Sequence, residues 1–281
     1  MKRRFVLTAT VLGSSALLAA CSTGAGDPVA TASPTATASA STDDSLANVL
    51  EAGELVVGTE GTYRPFSYHE DGSGDLTGYD VEVIRAVAEE LGVEVRFEET
   101  QWDAIFAGLE AGRFDVIANQ VSITPDREES YTFSSPYTYS PGVIVVAEST
   151  TDIASFADLE GRTTAQSLTS NWYVLAEQSG AVIEAVEGWA QAATLVEQGR
   201  VDATINDRLT FLDYQVQTGA TGLVVAAQTD DVSRSAFAFA QGSDALAAAV
   251  DDALATLAAD GTLADISTEF FGEDVSVAPA S

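Results

Sequence analysis

One arginine draws attention by its placement. The stretch ANQVSITPDR, residues 118–127, closes a short apolar run with small polar residues and then Arg127, in a chain whose 43 acidic residues far outnumber its 12 basic ones. A solvated arginine in such a chain meets acids everywhere, so one set just after a strand calls for a more specific anion. A planar guanidinium grips a carboxylate with two parallel hydrogen bonds, which a lysine ammonium does not do. Other reactive chemistry is sparse. The single histidine, His69, lies in the turn-rich stretch YHEDGSG and reads as solvent exposed, and the single cysteine, Cys21, ends an apolar leader. Zinc sites of the His and Cys kind, and triads that need histidine, are not expected; no metal and no cofactor is called for.

The leader has its own logic. MKRRFVLTATVLGSSALLAAC places Lys2, Arg3 and Arg4 before an uncharged run from Phe5 to Ala20, which is the charged n-region, apolar h-region and small-residue cleavage point of an export signal. The h-region is short for a bilayer span. Leu-Ala-Ala-Cys looks like a bacterial lipoprotein box, so Cys21 is expected to be lipidated and to anchor the chain without crossing the membrane. With no second cysteine, a disulfide within one chain is excluded. Residues 22–44 are almost wholly Ser, Thr, Ala, Pro and Gly and bury too little to offset their chain entropy, as in a flexible tether. The formal charge of −31 grows more negative still once the three basic leader residues are removed. Such a charge disfavours nucleic acid and anionic lipid surfaces as partners. The acids are spread through the chain, which reads as a solubility device.

The elements that must position Arg127 alternate between strand and helix. ELVVGT is a short apolar run ending in polar residues. GYDVEVIRAVAEELG carries Val83, Val87 and Leu91 at helical spacing, with Asp80 as N-cap and Gly92 as stop. VEVRFEE reads as a strand with Val93, Val95 and Phe97 on one side. WDAIFAGLEAG reads as a helix with Ile105, Phe106 and Leu109 inward, and FDVIAN as a further strand. This β-α-β-α-β order makes an α/β unit with a largely parallel sheet. It restarts after Ser140-Pro141-Gly142 with RTTAQ, NWYVLAEQSG, AVIEAV, AQAATLVEQG and VDATIND. The final stretch is a strand followed by a long helix marked by Leu246, Val250, Leu254 and Leu257; lacking a unit of its own, it is expected to return to the first.

Four segments, LVVGTEGTYRPFSY, LTGYDVEVIRAVAEELG, GRFDVIANQVSITPDREESYTFSSPYTYS and QGRVDATIND, together resemble the family 3 extracellular solute-binding proteins of bacterial ABC importers, which take up polar amino acids. The resemblance covers nearly all of residues 46–275 and is specific, because several motifs recur in order and at matching separations. AQSLTSN, residues 165–171, is most similar to the cystine-binding subset. The fold implied is α/β, with two Rossmann-like lobes joined by two crossover strands, of the type II periplasmic binding protein kind, and the ligand in the cleft between the lobes. The leader is thus read as a signal peptide over 1–20, with the lipidated cysteine and linker over 21–45, and the resemblance implies lobe 1 over 46–139 and 235–275 and lobe 2 over 142–232. Crossings are expected near residues 140–142 and 233–236.

What the family does with these positions gives Arg127 its task. A free amino acid is a zwitterion, and the resemblance makes Arg127 the binder of its carboxylate. Asn119 and Ser122 are implied in contacts to ammonium and carboxylate, with Gln120 a further candidate. Thr124 reads equally as ligand contact or as the cap of a helix with Pro125 at its first position. In the second lobe Thr169, Ser170 and Asn171 lead into a helix whose free N–H groups suit a carboxylate, and Asp207 matches the acid that pairs with the ammonium. Asp202 reads as structural. Tyr63 and Trp102 match positions that enclose the ligand side chain, Phe66 reads as core, and Glu60 could reach a distal cation.

Cystine offers that cation, but so do arginine, lysine and histidine beside an aromatic face, and glutamine stays open as a neutral ligand. The mechanism implied is hinge closure, followed by docking of the loaded protein, expected as a monomer, on a membrane permease driven by a cytoplasmic ATPase. Two other readings use the same scaffold: a small dehydratase-like enzyme, and a sensor that presents its ligand to a receptor. A non-enzymatic binding protein is expected.

Overall fold

A computed structural model describes residues 43–219 and 222–279. The leader, Cys21 and nearly all of the tether lie outside the described residues. Chain order runs α1 (Ser45–Ala52), β1 (Glu54–Thr59), β2 (Thr62–Tyr63), β3 (Ser67–His69), β4 (Leu76–Thr77), α2 (Tyr79–Leu91), β5 (Glu94–Glu99), α3 (Trp102–Glu110), β6 (Val116–Ser122), α4 (Pro125–Glu128), β7 (Tyr131–Phe133) and β8 (Thr138–Ala147). It continues with β9 (Thr163–Gln166), α5 (Asn171–Gln178), β10 (Val182–Ala185), α6 (Trp189–Glu197), β11 (Ala203–Asp207), α7 (Arg208–Thr218), β12 (Leu223–Ala240), α8 (Asp244–Asp260) and α9 (Thr262–Phe271). The fold is α/β.

One sheet runs in the order β10-β9-β11-β8-β12-β6-β1-β5, with β7 on β12, and β2, β3 and β4 form a small second sheet. Its two ends are parallel triples, β5-β1-β6 and β10-β9-β11. Antiparallel pairing of the long strands β8 and β12 joins them. The parallel triples need helical crossovers, which cover both faces. Alternation along the strands shows this directly. In β8, Val143 and Val145 pack with Ala192, Ala193 and Val196 of α6, while Ile144 and Val146 pack with Ala176 of α5. At the other end Val57, Val116 and Ala118 meet α2, α8 and α9, whereas Ile117 and Val121 meet α3.

The long strands pass from one set of cores to the other. Tyr137 and Phe237 belong to the core of α2 and α8, and Val143 and Leu223 to that of α6. Between them Ser140 pairs with Ser233, and β12 bulges between Gln228 and Val232. Thr229 in that bulge accepts from the Gly142 amide at 3.0 Å.

Three sequence expectations need correction. Asp80 is not the N-cap of α2. Gly78 holds that position with φ of 128°, and a Cβ there would lie 2.3 Å from the Phe66 carbonyl oxygen, so only glycine fits. Asp80 is the second residue of the helix, fully buried in its first turn, accepting from the Gln120 amide and Gln120 Nε2, both at 2.6 Å. The long C-terminal helix is two helices, α8 and α9, broken where Gly261 takes a left-handed φ of 93°. Finally, α7 follows β11 without a break, in a stretch where no helix is expected from sequence. Asp207 caps it by accepting from the Leu209 amide.

Candidate functional site

The ends of β1, β5 and β6 face the ends of β9, β10 and β11 across a cavity of about 480 Å³, within the range of small-molecule pockets. Glu60, Tyr63, Trp102, Asn119 and Gln120 line one side, and Gln166, Ser170, Asn171, Trp189 and Asn206 the other. Seven of the eleven residues singled out from sequence therefore meet in this wall: Glu60, Tyr63, Trp102, Asn119, Gln120, Ser170 and Asn171. Ser122, Arg127, Thr169 and Asp207 stand behind or beside it.

Arg127 lies in α4, which Thr124 and Pro125 start just after β6. Thr124 Oγ1 accepts from the Arg127 amide at 3.3 Å, so Thr124 is a cap. The guanidinium lies 5.4 Å from the ring of Trp102 and 5.2 Å from that of Phe106. Nη1 donates to the Ser122 carbonyl at 2.9 Å and Nη2 to the Thr169 carbonyl at 3.1 Å. Among the described residues no carboxylate forms a salt bridge with it, although eight other such pairs occur in the same residues. Burial lowers its pKa to about 10. A desolvated cation with carbonyl partners but no acid is poised for an anion brought from outside.

The acids are arranged differently. Glu60 directly follows β1 and accepts from Asn119 Nδ2 at 2.7 Å, while Asn119 Oδ1 accepts from the Glu60 amide at 2.8 Å. Burial raises the Glu60 pKa to about 7, against the pull of that hydrogen bond. Asp207 is buried at the end of β11 and accepts from Ser140 Oγ at 2.7 Å. Burial lifts its pKa to about 6. Both acids would gain from a nearby cation.

Several predicted residues already bridge the cleft. Tyr63 Oη donates to Asn206 Oδ1 at 3.0 Å and accepts from Thr210 Oγ1 at 3.1 Å. Thr169 donates from Oγ1 to Asp103 at 2.7 Å. Ser170 caps α5, accepting from the Tyr173 amide at 3.0 Å, and Ser122 Oγ accepts from Ser233 at 3.1 Å. The cleft is shut. Gln120 holds a φ of 50° inside β6, fixed by its two bonds to Asp80, and its Oε1 is buried without a partner. Phe66 is core, against Tyr63 and Phe271. Asp202 is structural, accepting from the Thr163 amide at 2.8 Å. His69 is less exposed than its turn suggests, because Nε2 lies 3.0 Å from Glu99.

Sequence reasoning missed Gln166, Glu187 and Trp189, which also line the cavity. Gln166 Nε2, Trp189 Nε1 and Trp102 Nε1 are buried without partners. Among the described residues no group of three or more His, Cys, Asp or Glu could hold a metal ion, and no helix is long and apolar enough to cross a membrane.

The profile of the bacterial extracellular solute-binding proteins, family 3, matches residues 55–273. The chain belongs to that family. It is 55% identical over 222 residues to a protein of Haemophilus influenzae named "Probable amino-acid ABC transporter-binding protein", covering 79% of this chain and 86% of that one. To the L-cystine-binding protein TcyA of Bacillus subtilis it is 50% identical over 233 residues, covering 83% and 87%. Among solved structures it is similar to the L-cystine solute receptor of Neisseria gonorrhoeae in the unliganded open conformation, at 47% identity over 83% of this chain and 99% of that one, with a TM-score of 0.57.

Proposed function

We propose that this family 3 protein is the substrate-binding component of an ABC importer that captures a free polar amino acid, with cystine the best-fitting ligand, and presents it to a membrane permease. One observation carries the reading: Arg127 is a desolvated guanidinium set against Trp102 of the cavity wall, without a salt-bridge partner among the described residues, in a chain rich in acids. An amino acid carboxylate supplies the missing charge, and Asp207 and Glu60 offer charge for its ammonium groups. The names of the relatives, which give amino-acid and L-cystine binding, support this choice. Acids along the wall, Glu60, Glu99 and Glu187, suit a second cation, which basic amino acids share with cystine.

Capture works by closure. An amino acid held by one half stabilises the shut form only through contacts that the shut form adds. The Thr169 turn, Asn206 and Asp207 supply them, and the bonds Tyr63–Asn206 and Thr169–Asp103 latch the halves. The protein binds its ligand unchanged rather than transforming it. Export, followed by lipidation at Cys21 and tethering by the Ser/Thr/Ala-rich segment, holds the monomer at the outer face of the cytoplasmic membrane beside its permease.

Calorimetry of the purified chain with L-cystine, L-arginine, L-glutamine and N,N′-diacetyl-L-cystine tests the proposal. Cystine is expected to bind and the diacetyl compound to bind at least about tenfold more weakly, because acylation removes the ammonium charges. Tight binding of the diacetyl compound would refute the ammonium pairing.

A further inference from the structure

The cavity has a second end that a single amino acid does not use. Helix α6 begins at the end of β10 with Gly188 at its N-cap, so no side chain caps its first turn. Gly188, Trp189, Ala190 and Gln191 all line the cavity. The N-terminal amides of a helix favour negative charge. An independent observation lies beside them. Gln166 ends β9 and pairs with Ala185 of β10, and its carbonyl accepts from the Val186 amide at 3.1 Å. Its side chain is only 3% exposed, lines the same cavity, and leaves Nε2 without a partner. The Trp189 indole Nε1 is unpartnered as well. A buried donor left unmade is unfavourable, and both residues share the cavity lining with the start of α6.

Acids adjoin the donors. Glu187 precedes Gly188 and accepts from Gln101 Nε2 of the opposite wall at 3.1 Å, and Glu99 lines the cavity near Gln101. Donors for a carboxylate next to carboxylates for an ammonium make the complement of a second zwitterion. The first zwitterion belongs to Arg127, after β6, and to the start of α5, after β9, whereas α6 follows β10.

We infer that the start of α6, with Gln166 and Glu187, is a second zwitterion subsite, so that the cavity selects ligands carrying an α-amino-acid group at each end over amino acids with a distal cation alone. This rests on the amino acid capture proposed above. Arginine and lysine could satisfy Glu187 or Glu60, yet they would leave the α6 amides and Gln166 unmet. A bis(amino acid) such as cystine meets both.

The test compares ligands on the unaltered protein and then on Gln166→Leu. Calorimetry in non-reducing buffer uses L-cystine, the mixed disulfide of L-cysteine with cysteamine, which lacks the second carboxylate, and L-arginine. Cystine is expected to bind the parent at least about tenfold more tightly than the mixed disulfide, the scale of one charge-assisted hydrogen bond or more. In Gln166→Leu that ratio should shrink several-fold through weaker cystine binding, while the free variant keeps its melting temperature within a few degrees. Equal affinity of the parent for the two disulfides would overturn the subsite, as would equal weakening of both in the variant. Binding of arginine but not cystine would overturn it and leave amino acid capture standing. Binding of none of the three would overturn both.

Discussion

Replacing Arg127 by alanine should separate binding from folding. In the shut form its two terminal nitrogens donate to the carbonyls of Ser122 and Thr169 at 2.9 and 3.1 Å. A ligand carboxylate therefore meets a guanidinium already in part satisfied. Two new charge-assisted bonds would set a ceiling of about 3–6 kcal/mol, but exchange of carbonyl partners brings the net gain nearer one bond, about 1.5–3 kcal/mol. Cystine affinity should fall by roughly 10- to 150-fold. Folding should barely respond. The alanine loses the stacking on Trp102 and Phe106, of order 0.5–2 kcal/mol, but it also removes a cation whose burial is unfavourable enough to lower its pKa to about 10. Calorimetry gives the affinity, and thermal unfolding of the free protein gives the control. Arg127→Lys keeps the charge without the fork and should fall between parent and alanine. Cystine binding within about twofold of the parent in a folded Arg127→Ala protein would refute the carboxylate assignment.

Three further outcomes follow from particular contacts. Glu60 has a folded pKa raised by burial to about 7 from an ordinary 4.5, so the stability it contributes is present below the ordinary value and lost as pH rises through about 7. Thermal unfolding of free Glu60→Gln should show a flatter decline than the parent between roughly pH 5 and pH 8; parallel curves would count against the shift. Gly78→Ala must place a Cβ 2.3 Å from the Phe66 carbonyl at a φ of 128°, and should lose about 2 kcal/mol or more in urea unfolding. Gly142→Ala would put a Cβ 2.3 Å from the Trp172 ring, which lines the cavity. It should lower cystine affinity and alter tryptophan fluorescence with a smaller effect on stability, and equal loss in both would show the contact to be structural only.

Local pattern carried much of the fold. The apolar run ELVVGT is β1, and the spacing of Val83, Val87 and Leu91 marks α2 through to Gly92. The misses have local causes as well. Asp is a favoured cap, but close approach of the Phe66 carbonyl demands glycine, which moved the start of α2 to Gly78. A leucine periodicity continuing past Gly261 hid the break between α8 and α9. The polar helix RLTFLDYQVQT buries only Leu209, Thr210 and Phe211, too little for a clear stripe.

At the site, the family resemblance pointed to Glu60, Tyr63, Trp102, Asn119, Gln120, Ser170 and Asn171, which line the cavity. It could not reveal that Thr169 is engaged by Asp103, since that bond joins residues 66 apart in sequence. Gln166 and Trp189 were illegible for the same reason. Only the parallel pairing of β9 with β10 brings the end of one strand to the helix that follows the other.

A thermal-shift screen of the twenty amino acids and cystine tests the central claim most directly, because a ligand that binds only the native state raises the melting temperature. The account predicts a clear rise with cystine that grows with its concentration. A folded protein whose melting temperature responds to none of the twenty-one compounds would contradict it.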